Sequence, residues 1–239
     1  MKKLYLLLLM IPLCAFMQNP GPSITGANAS NISLPLVRAS NITSSSSAIS
    51  LTAYPPAAAQ VGDFCVAVFN GQNNGLNTPS GWTRVQYNAQ GYWNGAFYYK
   101  TLTSEDISSG ITITTDGDAS SMIIAIIDFN GSTGGYVDSA SRQDTNSQSS
   151  STNPSITGSY GSDTVIFVAG YRGDTVPTIG NLQVSGMTLL QNVSTGNSGA
   201  TSIYAVALPS SFASTTVTYS FPGTYHPVGW YAGWLAVTP

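Results

Sequence analysis

Short apolar runs, some alternating with polar residues and some continuous, recur from Ile32 to the last residues of the chain, each bounded by Gly, Pro, Asn or Ser. None carries the three-to-four spacing of an amphipathic helix. The runs predict strands over Ile32 to Val37, Ile49 to Ala53, Phe64 to Phe69, Thr83 to Tyr87, Ala96 to Thr101, Ile111 to Thr115 and Met122 to Phe129. They resume over Thr164 to Ala169, Met187 to Gln191, Ser202 to Ala207, Thr215 to Ser220 and Val228 to Val237. Asp116-Gly117 reads as a tight hairpin turn, because both residues tolerate the positive φ such turns use. Ser104-Glu105-Asp106-Ile107 is expected to start one short turn of helix, since a hydroxyl followed by acids suits a helix N-terminus.

The second half of the pattern repeats the first at an offset of about 105 residues. Ser80-Gly81-Trp82-Thr83 returns as Ser185-Gly186-Met187-Thr188, and Asp63 with its apolar run returns as Asp163 with Thr164 to Val168. Ser44 to Ser47 and Asp144 to Ser151 read as polar loops at comparable places in the two copies. The expected fold is all-β, two repeated antiparallel units of β-sandwich or jelly-roll type after an N-terminal leader. A period this long leaves open whether each copy completes a sandwich or supplies half of a larger one. The expected organisation is a signal peptide over 1–18, a flexible tether over 19–30, one repeat over 31–132 and a second over 133–239.

Composition changes the picture in three ways. At 239 residues and 42% hydrophobic, the chain has material for one or two real cores. Only 7% of it is charged, with seven Lys and Arg in all, so the clustered cations that hold a phosphate backbone are missing and nucleic acid is not an expected partner. Met1-Lys2-Lys3 followed by the apolar stretch Leu4 to Met17 has the length of a secretory h-region and is short for a bilayer span, so export to the outside or the cell surface is expected. The membrane is then met only through the leader. Of the two cysteines, Cys14 lies in the leader and Cys65 on an apolar strand, where it reads as a small buried hydrophobe.

The residues that could carry chemistry are few. His226 is the only histidine, there is no Gly-x-Ser-x-Gly element, and Glu105 is the only Glu, so neither a Ser-His-Asp triad nor a paired-carboxylate site is expected and the chain reads as non-catalytic with no cofactor. Asp63 and Asp163 recur at equivalent strand starts, which argues for closing a turn rather than for catalysis. For a metal, Asp116 and Asp118 are the best local oxygen pair, but a turn is the simpler reading of Asp116-Gly117-Asp118. Arg172-Gly173-Asp174 matches an integrin-type tripeptide and equally an ordinary turn. Aromatic rings on loops are the better candidates: Tyr92 and Trp93 lie between two strands beside Asn94 and Gly95, and Tyr225 and His226 occupy the corresponding late loop of the second copy. Trp82, Trp230 and Trp234 align with apolar repeat positions and are expected in the core.

Gly62-Asp63 with its apolar run, Thr78-Pro79-Ser80-Gly81-Trp82-Thr83, Tyr98-Tyr99-Lys100 and the strand ending in Phe129-Asn130-Gly131 together resemble a duplicated β-sandwich, jelly-roll-like module of phage tail and appendage proteins and of bacterial secreted surface proteins. Gly186-Met187-Thr188 fits that group's second half, and the resemblance runs over residues 31–239. It implies fold but no catalytic position. The function expected is a secreted, non-catalytic surface or adhesion protein that presents loops to a carbohydrate or protein partner. The alternative is a phage virion component such as an appendage, spike or capsid-decorating subunit, where a homo-oligomer is possible.

Overall fold

The structure, a computed structural model, describes residues 36–72, 75–88, 94–117, 120–130, 135–144, 150–152, 164–171, 188–195, 200–207, 218–220 and 230–238. The leader and tether expected over 1–30 lie outside the described residues. Residues 32–239 form one compact unit. The described part is antiparallel β-sheet with one six-residue helix, an all-β protein.

Eight strands come from residues 36–130: β1 (Leu36–Ala48), β2 (Ser50–Ala53), β3 (Phe64–Gly71), β4 (Gly75–Leu76), β5 (Thr83–Asn88), β6 (Asn94–Thr101), β7 (Ile111–Asp116) and β8 (Ser120–Asn130). They pair first with eighth, second with seventh and third with sixth, a nested winding that gives a five-stranded sheet β1-β8-β3-β6-β5 and a three-stranded sheet β2-β7-β4. Helix α1 (Ser104–Ser109) fills the crossing from β6 to β7. The remaining strands are β9 (Gly135–Asp144), β10 (Ser150–Thr152), β11 (Thr164–Tyr171), β12 (Thr188–Ser194), β13 (Ala200–Ala207), β14 (Thr218–Ser220) and β15 (Trp230–Thr238). They give a second five-stranded sheet, β9-β15-β11-β13-β12, and a two-stranded pair, β10-β14. Position by position, the two large sheets have the same strand order.

The first large sheet is covered on both faces at its centre, which explains why β3 and β8 read as continuous apolar runs. Alternate residues of β3, Phe64, Val66 and Val68, join Phe97, Ile123, Ala125, Ile127 and Phe129 in a core shared with Ile166 and Val168 of the second sheet. The intervening residues, Cys65, Ala67 and Phe69, face the other way into a core with Trp82, Tyr98, Ile111, Ile113 and Leu102, closed by the three-stranded sheet. Residues 36–130 therefore enclose a sandwich core of their own, and the outer surface of that sandwich packs on the second large sheet. Strand β7 has only one buried face, and its ITITTD alternates buried and exposed accordingly.

Two local expectations change. Ser44 to Ser47 is the end of the long edge strand β1, where an exposed position asks nothing apolar of the side chain. Asp116-Gly117 does not close a hairpin, because β7 and β8 belong to different sheets; Gly117, at φ 145°, turns the chain from one layer to the other.

Candidate functional site

The site grows from the motif that repeats in the sequence. In Pro79-Ser80-Gly81-Trp82 the Trp82 N–H donates to the Pro79 carbonyl at 3.1 Å, and Gly81 takes φ 75° at the third position of the turn, as glycine does without steric cost. The turn drives Trp82, 6% exposed, into the outer core and starts β5 at Thr83. It also carries the Gly81 backbone over the Lys100 ammonium, where a β-carbon would come within 2.8 Å of Nζ.

Lys100 reaches Asp106 of α1 at 2.8 Å, both side chains being largely buried. The same carboxylate accepts from the Thr103 N–H at 2.8 Å and the Thr103 hydroxyl at 2.6 Å, while Thr103 caps the helix. The N-cap is thus Thr103, one residue before the Ser expected from sequence. Burial alone would raise the Asp106 pKa, but the hydrogen bonds from Lys100 and Thr103 and the Lys100 charge outweigh it and hold the group below the usual carboxylate range.

Around this bridge opens a cavity of about 380 Å³, walled by Ser80, Trp82, Glu105, Ser109, Thr112 and Asn77 among others. A second cavity of about 400 Å³ lies against it, lined by Arg84, Tyr87, Thr115 and Asp116 among others. Asn77 and Thr114 line both. Asn77 is held from three sides: its Oδ1 accepts the Thr114 N–H at 2.6 Å, its N–H donates to the Thr114 carbonyl at 3.1 Å, and its carbonyl accepts from the Tyr98 hydroxyl at 3.1 Å. Burial raises that buried tyrosine's pKa to about 12, so it stays a donor. Arg84 donates to the Leu76 carbonyl at 2.9 Å and stacks over the Tyr87 ring at 4.7 Å. The Asp116 carboxylate lies over Gly75, where a β-carbon would overlap it.

A second charged cluster lies in the same row of the sheet, where Lys100, Cys65 and Asp128 are register partners on β6, β3 and β8. Arg38, the bulged residue of β1, turns inward to Asp63 at 2.6 and 3.2 Å, to the Ala58 carbonyl at 3.2 Å and to Asn130 at 2.8 Å. Its Nε stands 3.8 Å from Asp128, a fully buried carboxylate whose Oδ1 accepts from the Cys65 thiol at 3.5 Å and whose Oδ2 has no hydrogen-bond partner. Burial first, then the Asp63 charge, push Asp128 up to about 6 against the opposing pull of the thiol and of Arg38. Burial and Asp128 in turn push the Cys65 thiol far above its ordinary range, so this buried free cysteine is not a nucleophile. Asp63 closes its turn as expected, accepting the Gln60 N–H at 2.6 Å.

Of the residues singled out in the sequence, Tyr92, Trp93, Tyr225, His226 and Asp118 lie outside the described residues. Asp116 is described and exposed at the end of β7. Among the described residues no three His, Cys, Asp or Glu side chains come together as metal ligands would. Trp82 is in the core as expected, while the side chains of Trp230 and Trp234 lie outside what is described. The cavities were not foreseen: their lining comes from β4, β5, β6, β7, α1 and the chain leading into β5, and only the turn around Gly81, the helix start at Glu105-Asp106 and Asp116 had a signal in the sequence. Compared with known proteins, the chain matches no family model, no curated protein and no solved structure.

Proposed function

We propose that this chain is a secreted, non-catalytic surface or adhesion protein built from two copies of one jelly-roll-type unit, which uses its rim and loops to hold a carbohydrate or protein. The observation that carries this reading is where the ionisable groups go. Lys100 and Asp106 brace the helix cap, Arg38 and Asp63 tie β1 to the start of β3, and Cys65 and Asp128 are buried, so among the described residues these six groups are engaged in holding the fold. Beside them the cavities are lined by Ser, Thr and Asn side chains together with Trp82 and Tyr87, the mixed polar and aromatic lining of a binding surface. The same strand order in both large sheets supports the duplicated unit. The segment carrying Tyr92 and Trp93 joins β5, whose Tyr87 lines a cavity, to β6, which keeps those two rings as contact candidates.

The test pairs binding with turnover. Incubation with glycoside and ester substrates is expected to give no product, and intact cells or their surface polysaccharide to retain the protein. Trp93→Ala is expected to weaken retention with the melting temperature unchanged. Turnover lost in Glu105→Gln would overturn the reading. A closed symmetric oligomer that co-purifies with particles would favour the virion alternative.

A further inference from the structure

We infer that the two cavities, joined through Asn77 and Thr114, form one elongated site for a neutral linear glycan at least two sugar units long. The inference rests on the recognition reading above and adds the place and the ligand class. Each cavity, about 380 and 400 Å³, falls in the size range of small-ligand sites, and the shared pair makes them one continuous cleft across the outer sheet. Each holds one carboxylate, Glu105 in the first and Asp116 in the second, that makes no hydrogen bond or ion pair among the described residues. A free carboxylate accepts from two adjacent sugar hydroxyls through strong charge-assisted bonds, so the cleft offers one such anchor per sugar.

Charge selects against acidic glycans. Lys100 is neutralised by Asp106, and Arg84 is the other cation of the cleft, so three carboxylates face two cations and no net positive field draws an anion. The lining also argues against a peptide. A bound extended peptide seats alternate side chains in apolar pockets, whereas here exposed Ser80 and Ser109 present hydroxyls and the exposed Thr112 and Thr114 hydroxyls are shared with Thr52 and Ser50 of β2.

The experiment prints neutral gluco-, manno-, galacto- and xylo-oligosaccharides of increasing length beside uronic-acid and sialylated ones, and probes them with the full chain. Neutral chains are expected to bind, with retention rising from monosaccharide to disaccharide or longer. Glu105→Gln and Asp116→Asn are each expected to weaken binding roughly tenfold, the cost of losing a charged hydrogen-bond partner. Ser80→Trp, which places a bulky ring at the mouth, is expected to abolish it; thermal melts on each variant show that the fold is kept. Binding to acidic glycans alone, or neutral-glycan binding indifferent to all three variants, would sink the inference and leave the recognition reading standing. Release of reducing ends that Glu105→Gln stops would instead overturn the non-catalytic reading and keep the site. Binding to no glycan at all would remove this inference, and retention on cells would then speak for a protein partner.

Discussion

Asp106 and Asp128 are both buried under the outer core, both within reach of one cation, and they hold their protons very differently. Asp106 receives three hydrogen bonds, from Lys100 and from both donors of Thr103, and its pKa falls below the usual range in spite of burial. Asp128 competes with Asp63 for Arg38 and loses: Asp63 takes two guanidinium bonds at 2.6 and 3.2 Å, while Asp128 stands 3.8 Å from Nε with one oxygen unpartnered. Burial is common to both. The number of donors aimed at each carboxylate decides which way its pKa moves.

The largest effect is expected from Asp106→Ala, which removes half of the capping box and leaves the Lys100 ammonium half-buried without its partner. Calorimetry should show a loss of about 3 kcal/mol, or a melting temperature roughly 6–12 °C lower. A shift of about 2 °C or less would mean that water screens the bridge and that the contrast with Asp128 is overdrawn.

Arg38→Met comes next, with about 2 kcal/mol expected near pH 8 from two carboxylates left facing each other. The loss should shrink by at least half near pH 4.5, where Asp128 keeps its proton. A loss independent of pH would show that Arg38 acts through packing.

Asp128→Asn sharpens the comparison because its sign is opposite. The folded pKa of about 6 lies above the unfolded value of about 3.9, so the group's contribution is fully present below the unfolded value and is lost as pH rises through about 6. The variant should therefore be more stable than the parent near pH 8, by on the order of 1–2 kcal/mol, and indistinguishable from it near pH 4. Urea titrations at both pH values decide it, and a destabilised variant at pH 8 would mean that Asp128 is ionised and well paired.

The smallest effect belongs to the turn over Lys100. Gly81→Ala should cost about 1 kcal/mol, since the residue takes φ 75° and its β-carbon would press on Nζ. If Asp106→Ala is made first, Lys100 is free to move and part of that cost should vanish, a coupling that a double-mutant cycle measures.

Much of the strand framework was legible because a strand buried on both faces reads as an apolar run, as Phe64 to Phe69 and Met122 to Ile127 do. Strand β1 was legible only as far as Val37, since its serines sit at an edge where apolarity is not required. The turn at Gly81 was visible as a repeated motif, but the reason for it, an ammonium lying beneath the glycine, is a contact between β6 and the chain leading into β5. Asp116 was singled out as an oxygen-ligand candidate and a hairpin turn; it stands exposed at the end of β7, and the chain there passes to another sheet instead of closing a hairpin.

Local composition by itself determined the all-β character, the turn at Gly81, and the burial of Cys65 and Trp82, because each depends on a residue's own side chain and its immediate neighbours. Only the tertiary structure decided that β7 and β8 lie in separate layers, that residues 36–130 enclose a core and then bury its outer surface against a second sheet, and that Asn77 and Thr114 bridge two cavities. The same holds for Arg38, whose partners lie 20 to 92 residues away along the chain. Those pairings bring distant residues together, and alternation along one strand carries no information about which strand will lie beside it.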